Sequence, residues 1–74
     1  MENKILETRE QGNLRFKLVL NDFGNERYNY SVIEELIKSN KLLENNSELD
    51  RQIFDTLRKA RNNFNKNTKG WLIV

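Results

Sequence analysis

The chain has 74 residues, of which 36% are hydrophobic and 32% charged, and its formal net charge is +2. This length suffices for one domain with a thin hydrophobic core, and such a core is compatible with homodimerisation. The sequence contains no Cys and no His, which excludes a disulfide framework, a thiolate metal site and a histidine general base.

The N-terminus has no basic segment followed by an apolar run, and no apolar stretch approaches the ~18 residues that a membrane span requires. We therefore expect a cytoplasmic protein without a membrane partner. The sequence is rich in Asn, Lys and Ile, whose codons are AT-rich. This usage is typical of low-GC bacteria, their phages and mobile elements.

The first predicted elements are two β-strands, over residues 5–9 and 14–20, around a turn at residues 11–13. In the second strand Leu14, Phe16, Leu18 and Leu20 alternate with other side chains, which predicts one face directed inward. Residues 21–26 are rich in Asn, Asp and Gly, and this composition is typical of a turn.

A helix is predicted to begin at Ser31, because Ser-Val-Ile-Glu over residues 31–34 has the form of a capping box. A second helix is predicted from Ser47, an N-cap residue followed by acids in the first turn. Its apolar residues recur at helical spacing and form a stripe: Leu49, Ile53, Leu57, Ala60 and Phe64. This helix should weaken after Phe64 and end by Gly70.

The last four residues, 71–74, are apolar and favour a strand. We expect this strand beside residues 14–20, because an apolar terminus must be held in place. The predicted fold class is therefore α+β, a small two-layer domain of order β-β-α-α-β. In it a helical hairpin covers one face of an antiparallel sheet.

Positive charge is concentrated in the last third of the chain. Residues 1–50 carry seven Lys or Arg and ten Asp or Glu, whereas residues 51–74 carry six Lys or Arg and a single acid. On the second predicted helix the cations fall beside and opposite the apolar stripe, with Asn62 and Asn65 among them. This predicted basic arc comprises Arg51, Arg58, Lys59, Arg61 and Lys66. Arg and Asn suit nucleic-acid phosphates and base edges, but cations near a helix C-terminus also complement the helix dipole.

Two groups of aromatic residues are further candidates for binding. Phe54 falls outside the apolar stripe near Arg58, where it suits base stacking or a partner's pocket, unless it belongs to the core. Arg27, Tyr28 and Tyr30 form a second candidate surface in a loop. The alternative is that these tyrosines cover the sheet edge.

No constellation of residues indicates catalysis. There is no glycine-rich phosphate loop, and Ser31 and Ser47 are accounted for as helix caps. We expect no enzyme activity, no cofactor and no metal. The sequence predicts a small non-enzymatic regulator that engages nucleic acid, or a nucleic-acid-handling protein, through the basic arc.

A protein–protein inhibitor or adaptor is the alternative from another functional class. Its interface would use Phe54, the tyrosines, or an acidic surface comprising Glu26, Glu34, Glu35 and Glu44. The basic arc would then be only a solvated face.

The predicted strand-helix-helix order over residues 14–66 resembles that of the ribbon-helix-helix repressors. Those dimers place a polar strand face in the DNA major groove, so the resemblance implies that Arg15 and Lys17 read bases.

Overall fold

The computed structural model describes residues 2–37 and 47–73. Within them the chain forms five strands in one antiparallel sheet and one helix that packs on it. The strand order across the sheet is β4-β3-β2-β1-β5. The elements are β1 (Glu2–Gln11), β2 (Leu14–Gly24), β3 (Arg27–Leu36), β4 (Ser47–Phe54), α1 (Leu57–Asn67) and β5 (Leu72–Ile73).

Two tight hairpins build the centre of the sheet. β1 and β2 are joined at Gly12, whose φ of 58° is the left-handed conformation that a two-residue hairpin requires. β2 and β3 are joined by Asn25 and Glu26, both with positive φ (55° and 60°), as in a type I′ turn. The first predicted hairpin is thus confirmed, and β2 continues to Gly24, four residues beyond its predicted end.

The predicted helical hairpin is wrong. Residues 31–36 belong to β3, and β4 occupies residues 47–54, where the second helix was expected to begin. Val32 and Ile33 are both buried although they are consecutive, because β3 is a central strand with apolar neighbours on both faces. The part of the first predicted helix over residues 38–46 lies outside the described residues.

The helix begins nine residues later than predicted, counted from N-cap to N-cap. Thr56 is its N-cap, and the Thr56 hydroxyl accepts a hydrogen bond from the Lys59 amide at 3.3 Å. Ala60 and Phe64 are fully buried and pack against Phe16, Leu18 and Val32 of the sheet. The C-terminal half of the predicted stripe is therefore confirmed as the buried side of a helix.

The C-terminal end of α1 is fixed to β1 by Arg9. Its guanidinium lies 4.8 Å from the centre of the Phe64 ring and donates to the Thr68 hydroxyl at 3.0 Å. Thr68 in turn donates to the Phe64 carbonyl at 2.6 Å. This partly buried cation also complements the negative end of the helix dipole.

The predicted C-terminal strand exists, but it pairs with β1 and not with β2. Leu72 lies opposite Glu10, and Ile73 opposite Arg9. Both edges of β2 are already occupied by β1 and β3, so the chain leaving α1 joins the free edge of β1. Trp71 packs edge-to-face on Phe16, with ring centres 5.3 Å apart, which ties this segment to the core.

The helix covers only one of the two sheet faces. On the other face, called here the open face, no described helix packs over the strands, yet Val19, Ser31 and Ile33 on this face are buried. The described part of the chain contains no helix of the length and apolarity needed to cross a membrane.

Candidate functional site

The predicted basic arc is divided between two sides of the molecule. Arg51 lies in β4 on the open face. Its guanidinium donates two hydrogen bonds to the Glu48 carboxylate, at 2.8 and 3.2 Å. These hydrogen bonds lower the pKa of Glu48 and raise that of Arg51. Arg51 is thus separated from the helix by the thickness of the sheet.

The solvent-facing side of α1 collects the other cations. At 100° per residue the side opposite Ala60 and Phe64 carries only polar residues, and all of them are exposed. We call this surface the outer helix face; it comprises Arg58, Lys59, Asn62, Asn65 and Lys66, and continues past the helix end to Lys69.

Arg61 lies at the flank of the helix and not on its outer face. Its guanidinium donates to Glu7 of β1 at 3.0 Å, and Arg9 donates to the other oxygen of the same carboxylate at 2.6 Å. Burial of the Glu7 carboxyl raises its pKa, but the hydrogen bonds from Arg9 and Arg61 outweigh burial and hold the pKa below its usual range. Arg61 therefore contributes to attaching the helix.

Two cations lie at the N-terminal end of α1, where the helix dipole is unfavourable for positive charge. Because α1 begins at Leu57, Arg58 and Lys59 lie in its first turn, which contains no acid. Lys59 is paired with Asp55 at 3.2 Å, and this contact lowers the pKa of the Asp55 carboxyl. Arg58 has no ion-pair partner among the described residues. Helix stability alone would place acids here.

The first turn also offers backbone donors. The first amides of any helix lack intrahelical acceptors, and here the Thr56 hydroxyl satisfies only that of Lys59. A shallow depression at this end is lined by Thr56, Arg58, Lys59 and Asn62. The helix dipole, the amides of Leu57 and Arg58 and the Arg58 guanidinium thus attract anions, whereas Lys59 is already paired with the Asp55 carboxylate at this end.

Phe54 packs against the core and is only partly exposed. In β4 it alternates with Ile53, so its side chain turns towards the helix, and it lies opposite Tyr30. The position that looked anomalous on a helix is an inward position on a strand.

The second candidate surface is only partly assembled. Tyr30 packs against the core, whereas Arg27 and Tyr28 are exposed near the tip of the β2–β3 hairpin. Phe23, close to the same tip, is also half-exposed. The hairpin tip therefore presents two accessible aromatic rings, Phe23 and Tyr28.

The acidic residues do not form one surface. Glu34 and Glu35 point to opposite faces of β3, and Glu26 lies in the hairpin turn. Glu44 lies outside the described residues. Arg15 and Lys17 are on the open face, where both pair with Glu35 (3.6 and 2.8 Å). Base reading by Arg15 and Lys17 was inferred from a strand-helix-helix order. That order does not occur, because β3, β4 and one helix stand in place of the two predicted helices.

Among residues 2–37 and 47–73 no three acidic side chains cluster in a way that could hold a metal ion. No protein-family model matches the chain, and comparisons with curated proteins and with solved structures found no significant match. The case for a function therefore depends on the outer helix face and the hairpin tip.

Sequence reasoning identified the cations of the outer helix face but missed their relation to the helix start. The signal was present in Asp55-Thr56-Leu57, a capping residue directly before an apolar one. It also missed the open face, because the residues that form it come from four strands and are adjacent only in the sheet.

Proposed function

We propose that this protein is a small non-enzymatic binding protein that contacts nucleic-acid phosphates through the outer helix face. The observation that carries the proposal is the position of Arg58 and Lys59 in the first turn of α1. A cation at that position costs the helix about 0.3–1 kcal/mol relative to a favourable charge. Lys59 is offset by its pair with Asp55, but Arg58 has no ion-pair partner among the described residues, and an anionic partner would account for its position.

The shape and charge of the outer helix face suit a phosphate backbone. From Arg58 to Lys66 the face extends about 12 Å along the helix axis, Lys69 lies beyond the helix end at Asn67, and Asp55 is the only acid in residues 51–73. Four exposed cations, Arg58, Lys59, Lys66 and Lys69, are available for phosphate contacts. Asn62 and Asn65 lie between them and can donate to phosphates, sugars or base edges.

The test is reversal of two cations that have no ion-pair partner among the described residues. Arg58→Glu combined with Lys66→Glu should lower affinity for a short oligonucleotide at least about 100-fold at low salt, because two phosphate contacts become repulsions. The fold should be retained, since both side chains are exposed. Fluorescence anisotropy measures the binding, and circular dichroism checks the fold.

The matched control is Lys4→Glu combined with Arg27→Glu. It changes the net charge by the same amount, and both residues are exposed and belong to strands, not to α1. The control should bind nearly as tightly as the wild type. Equal losses in the two variants would show that only net charge matters and would refute the proposed site.

A protein partner bound at the hairpin tip is the second candidate function. The half-exposed rings of Phe23 and Tyr28 favour it, because accessible aromatic side chains are typical anchors of protein interfaces. The tip also contains Glu26 with a left-handed backbone, a conformation that costs a non-glycine residue about 1–2 kcal/mol. If Phe23→Ser abolished an interaction that the Arg58 and Lys66 reversal left intact, this function would replace the first.

A further inference from the structure

A row of three polar side chains runs along the part of α1 that lies farthest from the sheet. Counted at about 100° per residue, Asn62 lies directly opposite the buried pair Ala60 and Phe64. Arg58 and Lys66 lie one turn to either side of Asn62, each about 40° round the helix from it. All three side chains of the row are exposed. The row, called here the crest row, therefore consists of one short amide between two long cations.

The four Asn side chains of α1 fall into two groups. Asn63 donates to Gln52 of β4 at 3.1 Å, and Asn67 donates to the Asn63 carbonyl at 2.9 Å, so both are engaged within the protein. Asn62 and Asn65 are exposed and make no side-chain hydrogen bond within residues 2–37 and 47–73. An Asn amide has both donors and an acceptor. At the centre of the crest row, that of Asn62 is directed to a partner.

The outer helix face lacks the groups that recognise single-stranded nucleic acid. Proteins that bind single strands stack the bases on aromatic side chains. Residues 55–70 contain one aromatic residue, Phe64, which is fully buried. Cations and amides alone suit a duplex, whose phosphates are regularly placed and whose base edges are reached through a groove.

The dimensions of α1 match the major groove of B-form DNA, which is about 12 Å wide and about 8.5 Å deep. A helix with its side chains is about 10–12 Å across, so the outer helix face stands about 10 Å above the sheet. Among the described elements α1 is the one helix on that side. It can therefore enter the groove to its full depth. The crest row spans about 12 Å from Arg58 to Lys66, which brings its two cations to the phosphates on both sides.

We propose that α1 binds in the major groove of B-form duplex DNA, where Asn62 reads an adenine. The inference rests on the proposed phosphate-binding function and names its substrate class. In the groove adenine presents the N7 acceptor beside the N6 amino donor, and an Asn amide binds both at once. No other base offers that pair there. Arg58 and Lys66 hold the flanking phosphates, which positions the short amide at the base edges.

The experiment selects binding sites from a pool of DNA duplexes with a randomised central segment. The wild-type chain is incubated with the pool at low salt, and the bound duplexes are sequenced. One position should be enriched in adenine at least about 5-fold, as a bidentate Asn contact provides. Asn62→Ala should lose this enrichment but still bind the pool, because its phosphate contacts are unchanged. The helix should persist, since Asn62 is exposed and Ala favours a helix more than Asn does.

Asn67→Ala is the matched control, because it makes the same substitution in the same helix. Asn67 lies about 140° round the helix from Asn62 and is bonded to Asn63, so this variant should keep the adenine preference. Duplex RNA with a selected sequence is the second comparison. It should bind at least about 5-fold more weakly, because the A-form major groove is too narrow for side chains to read.

The outcomes separate this inference from the proposed function. A wild type that binds duplex DNA without a base preference would overturn the inference and leave phosphate binding intact. An adenine preference that survives in Asn62→Ala, or equal affinity for duplex RNA, would overturn it in the same way. Absence of binding to any duplex at low salt would overturn the proposed function, and this inference with it.

Discussion

Replacement of Phe64 by Ala tests the packing of α1 on the sheet. Phe64 is fully buried, lies among Phe16, Leu18 and Val32, and has the Arg9 guanidinium over its ring. The loss of the ring leaves a cavity and removes the cation–π contact, so the free energy of unfolding should fall by about 3–5 kcal/mol. A domain of this length has a total stability of roughly 4–11 kcal/mol, so the variant should be close to unfolding.

Urea unfolding followed by the fluorescence of Trp71, the single tryptophan, measures this change. Trp71 contacts Phe16 in the core cluster, so its emission reports on the same packing. Phe23→Ala is the control, because Phe23 is 49% exposed at the hairpin tip, and it should cost less than about 1 kcal/mol. A loss below about 1.5 kcal/mol for Phe64→Ala would refute the packing of α1 described above.

Three other substitutions probe the hairpin, the helix attachment and the core. Glu26→Gly should raise the free energy of unfolding by about 0.5–1 kcal/mol, because Gly adopts the positive φ of the type I′ turn without strain; a melting temperature that falls would contradict the turn geometry. Glu7→Gln should destabilise the domain by about 1 kcal/mol at neutral pH. Because the folded pKa of Glu7 is lowered, its stabilisation is present above the unfolded value near 4.5 and is lost as pH falls through the folded pKa. The difference between wild type and Glu7→Gln should therefore shrink in acid, and a constant difference in urea titrations from pH 7 to pH 3 would refute it. Phe54→Ala should lower the free energy of unfolding by about 2–3 kcal/mol, as for a partly buried ring. A loss near zero would show that Phe54 does not pack against the core.

The sequence correctly predicted the elements in which apolar residues recur at one regular spacing. Alternation in β2 identified a strand with one inward face, and Gly12 and Asn13 marked its hairpin. Ala60 and Phe64 likewise identified the buried side of α1, whereas Leu57 of the same predicted stripe is 37% exposed. These segments are predictable because the side chains that pack against the core cluster recur at one regular spacing.

The prediction failed where a strand is apolar on both faces. Val32 and Ile33 point to opposite sides of β3, and such a short apolar run cannot be distinguished from a helix by period alone. Ser31, which resembled a helix cap, is a buried sheet residue that accepts a hydrogen bond from Asn21. The spacing of Leu49 and Ile53 fitted a helix as well, because residues four apart lie on the same side of a helix and on the same side of a regular strand.

Because the sequence placed the helix start too early, it gave the wrong electrostatic interpretation of the cations in the candidate site. With a helix from Ser47, Arg58 and Lys59 would lie in its later turns, where the dipole explains cations. With α1 beginning at Leu57 they lie in the first turn, where the dipole opposes them. The charges were visible in the sequence, but the electrostatic argument for binding required the correct N-cap.

Arg58→Glu alone separates binding from stability. The substitution places an acid in the first turn of α1, which should raise the free energy of unfolding by about 0.5 kcal/mol. The same change should weaken nucleic-acid binding. A variant that is both more stable and weaker in binding is the expected result for a residue retained for its partner, whereas loss of stability would show a structural role for Arg58.

The salt dependence of oligonucleotide binding tests the central claim most directly. Four phosphate contacts predict that affinity for a duplex falls about 100-fold between about 50 and 200 mM salt, and about 50-fold for a single strand. Anisotropy titrations of both at the two salt concentrations give these slopes. Binding that falls in this way supports the outer helix face as a phosphate-binding surface. Absence of binding at low salt, or an affinity that does not change with salt, would contradict it.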